Sequence, residues 1–258
     1  LTDEGGFLAR RRTGGGAVYH DLGNLNFSFV ADKEIYDVKR QMTVIQKALL
    51  NYGLETEVSG RNDITYQGRK FSGNAFAKTK YQGLHHGTIL IKTDGEKLQR
   101  YLKVKPAKLH KHGVKSVTSR VINLSEVADI TSENIIPHLI KAFEDVYQGK
   151  AKTIDFNELC SDEVVWQSQH IGSDEYLYGK WKEFHTKKNA TFDWGSVEID
   201  IDIDENKGII KNINIASDSL DPASINLAIE ILKDASIHDK PIVPNDNIIV
   251  RDIVEMIY

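Results

Sequence analysis

The alternation of apolar and acidic residues near the C-terminus constrains the fold more than any other feature of this sequence. Between residues 197 and 203 every second side chain is Val or Ile, and the residues between them are Glu or Asp. Successive side chains of a strand point to opposite faces of a sheet, so this pattern predicts a strand with one buried and one solvated face. Turn residues 205–208 and the apolar run 209–215 complete a predicted β-hairpin.

Other segments carry the 3.6-residue period of amphipathic helices. Apolar residues from Ile35 to Leu49 recur at helical spacing, and Gly53 follows at a position typical of a helix end. We therefore predict a helix over residues 33–52. Further helices are predicted over 95–102, over 131–147 with Thr131 as its cap, and after the cap Asp221, which precedes Pro222.

Short strands are predicted between these helices. Residues 63–66 and 70–77 flank a Gln-Gly turn, and residues 87–92 form another apolar run. Residues 17–19 look like the start of a strand that follows a glycine-rich loop. Strands and helices are thus interspersed along the sequence without a regular repeating order.

Composition narrows the function classes. The chain has 258 residues, 40% of them hydrophobic, and a net charge of −4, which gives no global attraction to nucleic acid or anionic membranes. Its one cysteine, Cys160, excludes an internal disulfide, and no apolar run of 18 residues is present. We expect a cytoplasmic protein without nucleic-acid or membrane partners, and interpret the basic run over residues 103–120 as a lid.

The glycine-rich loop is the clearest candidate for ligand binding. Gly14, Gly15 and Gly16 allow a backbone to bring its N–H groups close to an anion. Arg11 and Arg12 precede them and add planar guanidinium donors that suit carboxylate or phosphate oxygens. The sequence therefore predicts a local anion site in a chain without overall positive charge.

A second candidate site surrounds the predicted strand pair. Asp63 ends the run Gly-Arg-Asn-Asp and offers a carboxylate to Mg²⁺, which prefers oxygen ligands and phosphates. Lys70 follows seven residues later, where a hairpin would return it over the same site. Its flexible ammonium group suits a phosphate or carboxylate oxygen that moves during a reaction.

Five ordered motifs resemble lipoate-protein ligases of the biotin/lipoate ligase family, and the similarity spans nearly the whole chain. The motifs are Arg-Arg-Thr-Gly-Gly-Gly-Ala-Val-Tyr-His-Asp from residue 11, Ser-Gly-Arg-Asn-Asp from 59, Lys-Phe-Ser-Gly-Asn-Ala from 70, Leu-His-His-Gly-Thr-Ile-Leu from 84 and the segment 113–124. A further similar segment covers residues 192–198. The resemblance implies an α+β catalytic domain with a mixed sheet flanked by helices, like class II synthetases, and a small α/β accessory domain.

The resemblance also implies an activity. Such enzymes activate lipoate with ATP and Mg²⁺ to lipoyl-AMP and pass the lipoyl group to a lysine. The acceptors are lipoyl domains of 2-oxoacid dehydrogenase E2 subunits or the glycine-cleavage H protein. An adenylate-binding loop would fall on residues 103–120.

Site residues are assigned by the same resemblance. Lys70 is the catalytic residue, and Asp63 is the Mg²⁺ ligand. Lipoate or its adenylate is assigned to Arg11, Arg12, Gly14, Gly15, Gly16, Lys70 and His86. ATP is assigned to Arg12, Ala17, Val18, Tyr19, His20, Asn24, Asn62 and Lys70.

Two domains are expected, a catalytic domain over residues 1–181 and an accessory domain over 182–258. The junction is placed near residues 179–184. The chain begins with Leu1 only ten residues before Arg11, so we expect an N-terminally incomplete catalytic domain.

Several alternatives remain open. An octanoyl or lipoyl transferase of the same fold would need an activated cysteine, and Cys160 lacks a local base. A non-catalytic relative that binds lipoyl-adenylate or lipoyl domains is a second alternative, whereas the Gly-Arg-Gly-Arg-type loop of biotin ligases is absent. His85 and His86 are adjacent and would face opposite sides of a strand, which disfavours a shared metal and predicts that one is packed.

Overall fold

The computed structural model describes the chain in five stretches, residues 1–60, 62–102, 120–178, 186–204 and 207–258. They form two compact units. The larger unit is Ala17–Cys160, and the smaller unit combines Leu1–Gly16 with Ser161–Tyr258. The domain junction that we expect between residues 181 and 182 lies outside the described residues and stays a prediction.

The larger unit is built on a five-stranded sheet. Its strands are β1 (Asn24–Asp32), β2 (Glu57–Ser59), β3 (Asp63–Tyr66), β4 (Arg69–Lys78) and β5 (Gln82–Leu90), in the order β1-β5-β4-β3-β2. Neighbouring strands are antiparallel. A parallel bridge joins Lys70 to Val121, so the mixed character expected of this sheet is confined, among the described strands, to that bridge.

Helices cover the sheet and enclose the main core. They are α1 (Val38–Leu50), α2 (Gly95–Tyr101), α3 (Ser132–Tyr147) and the short α4 (Phe156–Leu159). The apolar stripe of α1 is buried through Met42, Ile45 and Leu49, which share a cluster with Phe71 of β4 and Ile89 of β5. Burial of large apolar side chains contributes roughly 1.5–3 kcal/mol each, which fixes α1 against the sheet.

The smaller unit has its own sheet and core. Its strands are β6 (Thr186–Phe192), β7 (Gly195–Asp204) and β8 (Ile209–Ser217), in that order and antiparallel. Its helices are α5 (Asp162–Ile171), α6 (Asp174–Tyr178), α7 (Pro222–Leu232) and α8 (Ile248–Glu255). The α+β class is confirmed. No helix in the described parts of either unit is long and apolar enough to cross a membrane.

The alternating pattern behaves as the sequence predicts. Ile199 and Ile201 are buried in the core of the smaller unit, while Asp200 and Asp202 lie on the other face of β7. Asparagine amides of β8 donate to these two carboxylates. The hairpin of β7 and β8 is therefore confirmed.

Two local predictions differ from the structure. The first helix begins at Val38, not near residue 33, because the Asp37 side chain caps it by accepting a hydrogen bond from the Arg40 N–H. The strand predicted at residues 17–19 is wrong. Pairing with β5 begins only at Asn24, which lies opposite Leu90.

Candidate functional site

The hairpin of β3 and β4 brings Lys70 and Asp63 together. Its turn is Gln67-Gly68, and both residues have positive φ, 50° and 74°, as tight two-residue hairpins require. The Lys70 Nζ atom lies 2.6 Å from Asp63 Oδ1. Both side chains are about one-quarter to one-third exposed, 24% for Asp63 and 34% for Lys70, so a ligand can reach a partly shielded ion pair.

Gly73 makes room for the Lys70 side chain. It lies opposite Asp63 in the register of β3 and β4. A Cβ atom at Gly73 would lie 2.9 Å from Lys70 Nζ and 3.0 Å from Lys70 Cε. The glycine in Lys-Phe-Ser-Gly-Asn-Ala therefore leaves space for the Lys70 side chain. Its φ lies outside the left-handed region, so the backbone conformation does not account for a glycine at this position.

Asn62 fixes the chain that leads into Asp63. Its side-chain Nδ2 donates to the carbonyl of Asn74 at 2.6 Å. The carbonyl of Asn62 in turn accepts from the Asn74 backbone N–H at 2.9 Å and from Asn74 Nδ2 at 3.0 Å. Three hydrogen bonds thus attach the start of β3 to β4, directly beside the ion pair.

The adjacent histidines of β5 face different environments. His85 is fully buried, with its ring 4.9 Å from the Phe76 ring and 5.5 Å from the Phe27 ring, measured between centroids. Burial, and after it the charge of the neighbouring His86, lower the pKa of His85 to about 4. His86 is only partly buried. The prediction that one of the pair is packed is confirmed for His85.

Residues assigned to the nucleotide lie in an irregular segment before β1. The Tyr19 ring stacks on Tyr101 at the end of α2, with centroids 5.6 Å apart. His20 Nδ1 lies 3.2 Å from Asn24 Nδ2, whereas Val18 is 53% exposed. Burial and then the charge of Asp21 raise the pKa of Tyr19. Ala17 begins this segment.

The glycine loop belongs to the smaller unit and is organised by its own arginine. The Arg11 guanidinium donates to the carbonyl of Gly14 at 2.7 Å and to that of Gly16 at 2.8 Å. Burial lowers the pKa of Arg11. Gly15 donates its N–H to the carbonyl of Ser219 at 2.8 Å. A Cβ atom at Gly14 would lie 2.1 Å from that carbonyl oxygen, so the close approach requires glycine.

The two arginines of the motif therefore differ. Arg11 directs its planar fork at loop carbonyls, while Arg12 donates to the side-chain oxygen of Gln167 on α5. Asn62, Asp63 and Lys70 lie together in the larger unit, and Arg11 to Gly16 lie together in the smaller one. Beside these two groups stand the assigned residues 17–20, which precede β1, Asn24 at the start of β1 and His86 on β5.

The described residues suit Mg²⁺ only where phosphate oxygens of a bound nucleotide complete the site. Among the described residues no group of three or more His, Cys, Asp or Glu side chains could hold a metal ion. Asp63 supplies a single carboxylate, and Mg²⁺ is commonly bound by one or two carboxylates together with phosphate oxygens and water. The residues present suit that arrangement.

Two sequence assignments fall outside the described residues. The basic run and the adenylate-binding loop are assigned to residues 103–120, of which only Arg120 is described. Arg61 of the Gly-Arg-Asn-Asp run is also outside them. These assignments stay predictions.

The sequence did not reveal the buried contacts behind the hairpin. Asn74 and Gln41 both contact the His85 ring, at 2.8 Å from Nε2 and 3.0 Å from Nδ1. Asp21 accepts from the N–H groups of Gly23 and Asp94, at 2.9 Å and 2.8 Å. Polar residues in otherwise apolar strand and helix faces, Asn74 and Gln41, are the signal that could have pointed to such a network.

Comparison with known proteins gives family matches in two parts of the sequence. Residues 1–144 match the family described as the lipoyl protein ligase A/B catalytic domain, and residues 182–242 match the bacterial lipoate protein ligase C-terminus. Lipoate-protein ligase A of Psychrobacter cryohalolentis is 37% identical over 243 residues, which are 91% of this chain and 71% of the relative.

Solved structures give the same result. P. falciparum LipL1, crystallised in complex with lipoate, is 33% identical with a TM-score of 0.81, covering 99% of this chain and 78% of that one. A lipoate-protein ligase A bound with ATP is 28% identical with a TM-score of 0.57, covering 69% and 74%. With the match over more than half of its length and the relative at 37% identity, the chain belongs to the lipoate-protein ligase family.

Proposed function

We propose that this chain activates lipoate with ATP to lipoyl-AMP and then transfers the lipoyl group to a lysine of an acceptor protein. Membership of a ligase family supports this proposal. So do the lipoate in one similar structure and the ATP in another. The observation that carries it in this chain is the Lys70 ammonium held 2.6 Å from Asp63 on the hairpin.

The first step joins two anions. An oxygen of the lipoate carboxylate attacks the α-phosphorus of ATP, the bond from that phosphorus to the β-phosphate oxygen breaks, and pyrophosphate leaves. Positive charge and N–H donors near the reacting oxygens are the main requirement, since the carboxylate is itself the nucleophile. Lys70 supplies an ammonium with three donors at a partly exposed position.

The second step breaks the mixed anhydride. The ε-amine of the acceptor lysine attacks the lipoyl carbonyl carbon, AMP leaves, and the amine gives up one proton. A donor beside the carbonyl oxygen stabilises the charge that develops there, typically by roughly 2.7–4 kcal/mol. Lys70 is the residue that we assign to this carbonyl as well as to the α-phosphate.

Asp63 is the residue that would hold Mg²⁺. When bound, the ion supplies neutralisation of phosphate charge. Asp63 has two carboxylate oxygens, so Lys70 and a ligand can share it.

The acceptor belongs to the proposal and not to the findings. We expect a lipoyl domain of a 2-oxoacid dehydrogenase E2 subunit or the glycine-cleavage H protein, and a cytoplasmic location. The remaining assignments to lipoate and to ATP, including His86 and Asn24, are proposed from the resemblance to lipoate-protein ligases.

Mass spectrometry of an apo lipoyl domain tests the proposal directly. Incubation with this protein, lipoate, ATP and Mg²⁺ should add one lipoyl group to the acceptor lysine. Omission of ATP should abolish the product, whereas a transferase would act from an acylated carrier without ATP. Absence of both pyrophosphate release and lipoylated product in the complete mixture would indicate a non-catalytic binder.

The cysteine offers a second check. Cys160 is exposed at the end of α4. A Cys160→Ser variant should keep full ligase activity, because the proposed route forms no thioester. Loss of activity in this variant would favour the acyl-cysteine route of transferases.

A further inference from the structure

A buried polar network lies directly behind the Asn62 and Asp63 segment. Its centre is the His85 ring, which is 0% exposed and is surrounded by the rings of Phe27, Phe29 and Phe76. Three aromatic neighbours hold the ring orientation, since each lies within 5.6 Å between centroids. A polar ring at this depth needs hydrogen-bond partners for its nitrogen atoms.

The hydrogen bonds of Asn74 determine the proton position on His85. Asn74 Nδ2 faces two acceptors, the Asn62 carbonyl at 3.0 Å and Ser72 Oγ at 3.3 Å. The other amide atom, Oδ1, is therefore an acceptor and faces His85 Nε2 at 2.8 Å. A neutral imidazole carries one N–H, so the proton is on Nε2 and donates to Asn74.

Gln41 completes the network on the other side of the ring. The structure places Gln41 Oε1 3.0 Å from Nδ1 and leaves Gln41 Nε2 without a hydrogen-bond partner. With its proton on Nε2, His85 presents a lone pair at Nδ1, so we assign the NH₂ group of the Gln41 amide, and not its oxygen, to the side that faces Nδ1. The Tyr147 hydroxyl also interacts with the Gln41 side chain, so the contacts run from α3 through α1 to β5.

The network ends at the reactive pair. Asn74 accepts a hydrogen bond from His85 Nε2 on one side. On the other side it is joined to Asn62 by three hydrogen bonds. Asn62 is bonded to Asp63 in sequence, and Asp63 is 2.6 Å from Lys70. Only one of the three bonds, from Asn74 Nδ2, uses the Asn74 side chain, so a change of its rotamer would break that bond and weaken the attachment of the segment that carries Asp63.

The neighbouring strand leaves room for the Asn74 side chain at a glycine. Gly87 lies opposite Asn74 in the register of β4 and β5. A Cβ atom at Gly87 would lie 2.5 Å from Asn74 Oδ1 and 2.4 Å from Phe27 Cζ. The amide and the aromatic ring thus use the space that glycine leaves.

We propose that His85, Asn74 and Gln41 form a positioning network that holds Asn62, and through it Asp63, in register with Lys70 during adenylation. The network touches no substrate and acts through the hairpin. Because His85 is neutral in this arrangement and stays so above its lowered pKa, the network does not change its protonation state between about pH 5 and 9. The inference rests on the proposed function.

The test separates positioning from stability by two substitutions at His85 and a control substitution at Ile89. His85→Phe keeps the volume among the aromatic rings but removes the donor to Asn74, and should lower kcat/KM for ATP in lipoate-dependent ATP–pyrophosphate exchange about 10-fold. His85→Gln places an amide nitrogen near the position of Nε2 and should stay within about threefold of the native enzyme. Ile89→Val, a buried change on the same strand, should leave the exchange rate unaltered. All assays are run where circular dichroism shows each variant folded.

A double-mutant cycle with Asp63→Asn identifies the route of the effect. If His85 acts through Asp63, the double variant should lose no more activity than the more impaired single variant. Losses that multiply, or a His85→Gln variant as impaired as His85→Phe, would overturn the proposal. If His85→Phe does not fold, Gln41→Met removes the partner of Nδ1, and unchanged exchange in that variant would overturn it too. Native enzyme without exchange activity would instead contradict the proposed function.

Discussion

The β3–β4 hairpin and the glycine loop are both rich in functional residue types, but they are held in opposite ways. In the hairpin, Lys70 follows Asp63 by seven positions, and a two-residue turn alone brings their charged groups within 2.6 Å. In the glycine loop, Gly15 is held by Ser219, which is some two hundred residues further along the chain. The first geometry is local and readable from sequence, whereas the second depends on tertiary structure.

Lys70 and Arg11 are both positively charged, but their surroundings give them different roles. Lys70 is partly exposed beside a carboxylate and can exchange that partner for a ligand. Arg11 is committed to two carbonyls of its own loop. A cationic residue in a functional motif therefore need not be the one that touches the substrate.

The largest effect is expected for Lys70→Ala. Removal of a transition-state donor typically lowers a rate by roughly 10²- to 10³-fold, and adenylate formation should fall by that amount. Lys78→Ala, a change of the same kind at the other end of β4, serves as the control. Near-native pyrophosphate release by the Lys70 variant would remove the hairpin from the chemistry.

Acid should weaken the unit that contains the hairpin. Because burial lowers the pKa of His85 from 6.5 to about 4, the unfolded chain binds a proton in this range that the folded chain does not. The free energy of unfolding should therefore fall as the pH drops from 6.5 to 4, by about 3 kcal/mol, and no further from this cause below pH 4.

Hydrogen exchange of the β4 and β5 amides measures this fall in the free energy of unfolding at acid pH. The fall should be smaller in the His85→Gln variant. The three tryptophans, at positions 166, 181 and 194, all fall in the sequence of the smaller unit. Their fluorescence therefore follows the unfolding of the smaller unit separately from that of the larger one. A pH-independent exchange rate in β5 after correction for intrinsic chemistry would contradict the assigned burial effect.

A smaller effect is expected for Gly73→Ala. The added methyl would lie 2.9 Å from Lys70 Nζ and would displace the side chain without removing it. A misplaced donor should lower adenylation about 10-fold, less than the loss of the lysine. Gly149→Ala, where an added Cβ meets nothing within 4 Å, is the matched control. Equal activity of the two variants would show that the space at Gly73 is not needed.

The smallest effect is expected in the glycine loop. Arg11→Lys replaces a planar fork with a point charge and should lose one or two hydrogen bonds to the loop, each worth about 1 kcal/mol. The lipoate KM should rise roughly 3- to 10-fold with kcat nearly unchanged. Arg10→Lys changes a neighbouring arginine that donates to Leu177 and should leave KM as it is. A drop in kcat instead would place Arg11 at the reacting atoms.

The sequence predicted most of the elements that are determined by local pattern. The Gln67-Gly68 turn, the β7–β8 hairpin and the caps at Thr131 and Asp221 all occur as expected, because turn chemistry and capping act within a few residues. The start of the first helix was displaced because Asp37 competes as a cap with the apolar period that begins at Ile35.

Features that depend on distant partners could not be predicted in this way. Apolar residues 17–19 have the composition of a strand, but the partner strand β5 reaches only to Leu90, opposite Asn24. The same holds for His85, whose burial depends on Gln41 and Asn74 from other elements. Single-sequence patterns carry no information about which of two adjacent histidines faces the core.

The ring that Arg11 closes around the glycine loop has a thermodynamic consequence. Three successive glycines would lose more backbone freedom on binding a ligand than any other tripeptide. The guanidinium, bonded to the carbonyls of Gly14 and Gly16, restricts that freedom when the chain folds and before any ligand arrives. Preorganisation of this kind raises affinity without a new contact, so Arg11 can set how tightly a ligand is held through the shape of the loop as well as through a contact of its own.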